Sequence, residues 1–389
     1  MKTFNGTRLK EARYFNSYSI TELAKELGVS KQMVSKYENG KGEPLPETFF
    51  KLVKTLGFPA KFYFGTDKVK VKSVETFYRS RFTATQKQKS PSEFLKKLAY
   101  CYRVFLEDYL DFPSITLSES FREEISDLYE QKKIEQIAQN LREHWNLGSN
   151  PIPNMVNLLE RKGFVVCDIP TTMDKVAAFG GLVEAEGKEH YIIFLDTQET
   201  DFFKRQFSAA HELGHWILHS GIVNPQDLEP AEYRNIEQEA NDFASAFLLP
   251  AHQFINEIGK TELTLNYVLS IRNTWYVSMA ALLMRAKKLH VITEETYVKL
   301  QKQISYRKWR KHEPYSELFE LRHPRGLREG TELLLSEGIL SLEEIPYILE
   351  ERFERAYPHL IIEKVVGLPE GYFSAKGGGI INLKDSIIS

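Results

Sequence analysis

Cysteine is nearly absent: Cys101 and Cys167 are the only two among 389 residues. That is too few for a disulfide framework or a thiolate metal cluster, so the chain suits a reducing compartment and both thiols read as packing residues. Long apolar runs are missing as well. No stretch approaches the ~18 to 20 apolar residues of a membrane span, and the opening MKTFNGTRLKEAR has no apolar secretion core. The sequence therefore predicts a cytoplasmic protein that makes no membrane contact. Low-complexity segments are lacking too, and 42% hydrophobic, 27% charged and 12% aromatic residues make a folded globular composition. At ~150 residues per domain the length suffices for two to three domains.

Net charge is small, but the formal value of −2 conceals an uneven distribution. Residues 1–100 carry 20 Lys+Arg against 9 Asp+Glu, a balance of +11, which leaves 31 against 44, or −13, for the remainder. A basic head on an acidic body suggests that the head meets a polyanion. Charge alone does not decide the partner; a motif does.

Residues 20–39, ITELAKELGVSKQMVSKYEN, read as two short helices joined by a tight turn. Leu23, Ala24 and Leu27 share one face, Gly28 permits the left-handed backbone of the turn, and Ser30 is a good N-cap for the second helix. Val34 and Tyr37 face back toward the first helix, and the small Ala24 lets the two cross closely. This is the helix-turn-helix pattern, whose second helix enters the major groove of double-stranded DNA. Lys31, Gln32, Ser35 and Lys36 are thereby placed to reach base edges, and Asn39 and Lys41 to touch phosphate. Leu9, Ala12 and Ile20 before the motif, with Phe49, Leu52, Val53 and Leu56 after it, fit a five-helix domain. The stretch, with its ending YENGKGEP, resembles the Xre (Cro/C1-type) family, which implies binding to DNA as a homodimer on paired half-sites.

Residues 67–92 are polar and basic, with Arg79, Arg81, Lys87 and Lys89 and no sustained apolar period, and mark a domain boundary. Pro91 is expected to start a helix. Phe94, Leu98, Tyr102, Phe105 and Tyr109 then recur at helical spacing to about Leu110. That stripe reads as ordinary packing, with a dimer seam as the second reading. Helices over 134–147 and up to about Lys162 lead into strands at 164–168, 177–183 and 191–195, a small mixed layer.

Residues 207–219 read FSAAHELGHWILH, in which His211, Glu212 and His215 form H-E-x-x-H on an unbroken helix. Two imidazoles four residues apart share one helical face and can bind a single Zn²⁺. Glu212 is poorly spaced as a ligand and suited to act as general base, taking a proton from the attacking water and passing it to the leaving amine. A catalytic zinc needs a third protein ligand, and the second helix EQEANDFASAFLLP (237–250) offers Glu237 and Glu239 about 200° apart. Glu237 is preferred, because Asn241 four positions on lies on its face and can support the metal's ligands. Glu239 reads as a solvated surface carboxylate. His219 reads as a supporting or packing residue, since the longer three-histidine spacing with its glycine turn is absent. His190, His252 and His290 read as ordinary.

Together the two segments resemble the ImmA/IrrE metallopeptidase family, over about 134–315 and including the stretches at 275–289 and 307–314. The resemblance implies Zn²⁺ held by His211, His215 and Glu237, Glu212 as general base, and cleavage of a helix-turn-helix repressor that releases transcription. The expected fold is an all-α helix-turn-helix head, an α+β zincin-like domain and a mainly helical C-terminal region. The expected boundaries are 1–66 for the head, 67–120 for the basic linker and amphipathic helix, 121–290 for the metallopeptidase domain and 291–389 for a C-terminal region of no legible role. Strand 191–195, just before the motif helix, is expected to be an edge that aligns an extended substrate. The leading function is a zinc endopeptidase that regulates transcription, acting on a repressor or on its own linker. Two alternatives stand beside it: a DNA-binding sensor without turnover, and one half of a toxin-antitoxin or phage-defence pair with an antitoxin-like partner.

Overall fold

The computed structural model describes residues 3–67, 69–73, 77–78, 86–170, 178–197, 201–220, 228–259, 262–310 and 312–374, with the backbone alone at 77–78 and 86–89. Arg79, Arg81 and Ala177 lie outside the described residues. Among the described residues no helix is long and apolar enough to cross a membrane. The fold is a set of helix-turn-helix helices, an α+β region with a small mixed sheet, and a helical C-terminus. It divides into two compact units, one of residues 1–71, 84–111 and 325–389 and the other of 72–83 and 112–324.

The first unit is built on the head. Asn5 caps helix Gly6–Phe15 by accepting from the Thr7 and Arg8 amides, and Ser19 and Glu22 form a reciprocal capping box on helix Ile20–Leu27. Gly28 closes that helix at φ 70°, and Ser30 caps helix Lys31–Glu38 through the Met33 amide. Each turn of the motif is thus terminated by a residue whose chemistry requires that place. Leu9, Ala12, Leu23, Ala24, Leu27, Val34, Tyr37, Leu52 and Leu56 are buried and form its core.

Helix Gln86–Leu106 starts before Pro91 rather than at it, so the proline sits inside the helix. Its stripe of Phe94, Leu98, Tyr102 and Phe105 is fully buried. The helix packs against Gly6–Phe15 and against three C-terminal helices, Gly326–Ser336, Glu344–Phe353 and His359–Val366. The stripe is therefore consumed within the chain and is not free as a dimer seam. Arg355 fixes this packing: it is buried, pairs with Glu11 and with Asp67 at 3.5 Å, and lies over the Phe62 and Phe94 rings. Arg8 donates to Asp67 and to the Glu354 carbonyl at 3.0 Å. Buried guanidinium groups of this kind need every such acceptor, because an unpaired charge there costs several kcal/mol. Residues 325–374 are thus an integral part of the unit that carries the head.

The second unit holds the sheet. Its strands are β1 (Lys72–Ser73), β2 (Phe77–Tyr78), β3 (Val165–Asp168), β4 (Phe179–Ala185) and β5 (Lys188–Leu195), in the order β1-β4-β5-β3, with β2 also on β4. A two-residue turn, Glu186 (φ 53°) and Gly187 (φ 76°), joins β4 to β5 as an antiparallel hairpin. Strand β5 is not an edge, contrary to the expectation for 191–195: Ile192 and Ile193 pair with β4 on one side and with β3, in parallel, on the other. The physical reason was in the sequence, since five consecutive apolar residues suit a strand covered on both faces better than an open edge. The strands that cover β4 are β1 and β2, from the segment that read as linker.

Candidate metal centre and DNA-binding face

The H-E-x-x-H segment lies on helix Phe202–His219, capped by Asp201 and buried along nearly its whole length between the sheet and helix Pro230–Leu248. Gly214 explains how the two helices approach: a Cβ there would meet the Ala240 carbonyl oxygen at 3.1 Å and Phe243 at 3.2 Å. The conformational cost of a mid-helix glycine, about 1 kcal/mol, is the condition for this close crossing. Arg142 and Arg285 hold the far end of the second helix by donating to the carbonyls of Phe247 (2.5 Å) and Leu249 (3.0 Å).

This crossing brings His211, His215 and Glu237 together, with one ligand atom from each lying within 4.8 Å of the others. The two Nε2 atoms are 3.0 Å apart, and each is 3.4 Å from a Glu237 carboxylate oxygen. The hydrogen bonds behind them set the tautomers. Asn241 Oδ1 accepts from His211 Nδ1 at 3.0 Å, which leaves the His211 Nε2 lone pair facing the cluster. His215 Nδ1 donates to His219 Nδ1 (3.1 Å), His219 Nε2 donates to Glu239 Oε2 (3.1 Å), and the Tyr129 hydroxyl donates to the same oxygen (2.9 Å). A neutral His215 that donates from Nδ1 carries its lone pair on Nε2, which faces the same cluster. Two lone pairs and a carboxylate converging in a buried site repel one another unless a cation sits among them, so the residues fit a metal ion.

Burial pushes His215 down to about 3, which keeps the imidazole in its neutral, ligating form. Burial works to raise the Glu237 carboxyl, but its interactions with the His211 and His215 rings outweigh that and lower it to about 2. Burial likewise lowers His219. These directions give a pH dependence for the metal-free protein. An unfolded histidine takes a proton near pH 6.5 while folded His215 refuses it down to about 3, so the unfolded chain binds more protons in that window. Stability is therefore fully present above about pH 6.5 and is lost as pH falls. Thermal melts with chelator should show a midpoint several degrees lower at pH 5 than at pH 7.5, and a smaller difference in His215→Asn.

Glu239, expected as a solvated surface carboxylate, is instead the acceptor for both His219 and Tyr129, and the His219 hydrogen bond lowers its pKa. The i,i+4 step from His215 to His219 was the signal for this support; Tyr129, 110 positions away from Glu239 in sequence, left none. Loss of a supporting partner of this type weakens metal affinity by roughly 10- to 100-fold. Glu239→Gln and His219→Ala should each show that loss in zinc competition titrations with a chelator, while His219→Gln, which can still bond His215, should lose less.

Glu212 is buried on the same helix as the two histidines and reaches β4: a Cβ at Gly180 would lie 3.0 Å from its Oε2. Only glycine leaves that space. Beside the site a cavity of about 790 Å³ is lined in part by Ala178, Phe207, Asn241, Ala281 and Met284.

In the head, Lys31, Gln32, Lys36, Asn39 and Lys41 are exposed and Ser35 is half-buried, along helix Lys31–Glu38 and just past its end. The three lysines form no ion pair with a carboxylate among the described residues. Asn39 is turned back, its Nδ2 donating to the Ser35 carbonyl at 2.7 Å, so the amide closes the helix. The structure thus gathers five of these side chains on one solvent-facing surface, away from the head's core.

Helix, sheet and His/Glu cluster define a peptidase-type domain in a chain with a helix-turn-helix head. The family comparisons agree. Residues 159–287 match the peptidase M78 family model, described as the IrrE N-terminal-like domain, and residues 9–62 match the helix-turn-helix model. The chain therefore carries an Xre-type DNA-binding domain and an IrrE/ImmA-like peptidase domain. No curated protein matches the chain.

Proposed function

We propose that this chain is a cytoplasmic, DNA-binding transcriptional regulator whose peptidase domain is a zinc endopeptidase that cleaves a helix-turn-helix repressor. The observation that carries the reading is the convergence of His211, His215 and Glu237 on a helix whose Glu212 reaches across to β4. When bound, Zn²⁺ polarises the scissile carbonyl and acidifies the attacking water. His211 and His215 supply neutral nitrogens and Glu237 a carboxylate that stays ionised. Glu212 accepts the proton of the attacking water and delivers it to the amine nitrogen as the carbon–nitrogen bond breaks. An extended peptide aligned along β4 passes Gly180 and so passes Glu212.

A second target is favoured by one specific observation. Strand β2 of the chain's own segment pairs antiparallel with β4 at Gly180 and Phe179, on the strand beside Glu212. A separate repressor must displace that segment, or the segment is itself cut. Mass spectrometry of the full-length chain and of a candidate Xre repressor, after incubation with zinc, tests both. A discrete cut in either that chelator prevents supports the endopeptidase; no cut in either, with zinc bound, moves the reading to a regulator that senses without turnover.

For the head, the reading is a homodimer on duplex half-sites about 34 to 36 Å apart. Gln32→Ala should weaken binding to the preferred sequence by ~1 to 3 kcal/mol, and Lys41→Ala should weaken all sequences alike and flatten the salt dependence. Binding titrations on the sequences enriched from a random pool check both, and an unchanged preference in Gln32→Ala would remove that residue from the base-reading set.

A further inference from the structure

The second unit carries a concentrated patch of positive charge that has no carboxylate partner among the described residues and that the peptidase reading leaves unused. Residues 299–312 hold six Lys+Arg and no Asp or Glu, in a part of the chain that is otherwise acidic. Helix Glu294–Tyr306 buries Leu300 and Ile304, and Lys302 and Tyr306 stand about 200° away from them on the opposite face. The helix ends with Lys308 in the left-handed region at φ 61°, while the Lys308 and Trp309 amides bond back to the Ser305 and Ile304 carbonyls. That ending turns Trp309 toward the core and leaves Arg307, Lys308 and Arg310 in solvent.

Some other surface cations in this unit are matched, as in Lys287 with Glu294, Lys288 with Asp242 and Arg322 with Glu320. Lys299, Lys302, Arg307, Lys308 and Arg310 form no ion pair among the described residues. A helix C-terminus favours a cation in its last turn, but it does not call for a tyrosine that is 90% exposed among them. Arginine, lysine and tyrosine hydroxyl are the side-chain set that contacts nucleic-acid phosphate without reading sequence.

We infer that this patch, centred on Lys302, Tyr306, Arg307, Lys308 and Arg310, is a second duplex-DNA contact that grips the phosphate backbone. The partner is DNA rather than an acidic protein because the same chain carries a helix-turn-helix domain. Once the head is bound, the tether keeps the patch at high effective concentration near the duplex, so weak phosphate contacts add to overall affinity. The patch supplies no sequence preference and extends the footprint beyond the operator. This inference rests on the DNA-binding reading of the head, and the test separates the two.

The experiment uses the full-length chain with a long duplex of enriched sequence and an equally long duplex of scrambled sequence, titrated from low to high salt. The patch variant replaces Lys302, Arg307, Lys308 and Arg310 by Gln; these side chains are exposed, so circular dichroism and zinc content should match the wild type. Each lost phosphate contact reduces the slope of log affinity against log salt by about 0.9, so the slope should fall by about 3 to 4 and affinity by at least tenfold on both duplexes. A head variant, Gln32→Ala with Lys41→Ala, should lose discrimination between the duplexes yet keep a residual salt-dependent affinity, which adding the patch substitutions removes. An unchanged slope in the patch variant overturns the inference while leaving the head's role intact. So does a patch variant that keeps its DNA affinity but loses binding to a purified acidic repressor, which would make the surface a protein-docking site.

Discussion

Glu212→Gln is expected to lower peptide-bond cleavage by roughly 10²- to 10⁴-fold while zinc stays bound at about one ion per chain. Gln fills the same volume beside Gly180 and Tyr191, so the close packing of the motif helix on β4 survives. His211, His215 and Glu237 keep their partners, because the hydrogen bonds that orient them run to Asn241 and His219 and not to Glu212. On the proposed reading, what disappears is the group that takes the water's proton. Rates come from quantifying fragments by mass spectrometry, and metal content from elemental analysis of the same samples. Equal cleavage by wild type and variant would remove Glu212 from the reaction; loss of zinc together with activity would mean that it belongs to the ligand set.

The parts of the site that were legible in the sequence are those set by local geometry. Two histidines four residues apart share a helical face whatever the tertiary structure, and Asn241 shares a face with Glu237 for the same reason. Gly28 and Ser30 were equally readable, because a left-handed turn and an unsatisfied helix N-terminus each demand particular residues. Long-range contacts were not readable. Nothing near Tyr129 signals that its hydroxyl meets Glu239, and nothing near residue 355 signals a guanidinium seated between Glu11 and Asp67.

Strand β5 was misread for a different reason. Its apolar run carried the correct information, that both faces are covered, but its position before the motif helix suggested an edge, and position proved the weaker guide. The consequence reaches the mechanism. With β5 inside the sheet, the strand near Glu212 that can align a peptide is β4, and the chain's own residues 72–73 and 77–78 already pair with it. A segment that read as a bare connector therefore bears on access to the site, which no local pattern of charge or hydrophobicity could have conveyed.

His211→Ala should abolish stoichiometric zinc binding, and with it all cleavage. Losing a supporting hydrogen bond weakens metal affinity by roughly 10- to 100-fold, so removing a ligand itself should exceed the upper end of that range. The remaining His215 and Glu237 supply only two ligands, and His219 is already bonded to both His215 and Glu239. Stability should respond in two opposing ways. Without metal the variant removes one of the converging electron-rich groups, which relieves repulsion with His215 Nε2 at 3.0 Å and Glu237 at 3.4 Å. With metal, however, the wild type gains stability by mass action and the variant does not. Chelator should therefore lower the melting midpoint of the wild type and leave that of His211→Ala nearly unchanged. Equal zinc content in wild type and variant, measured on protein purified without added metal, would show that the ion sits elsewhere and would sink the assignment of this cluster.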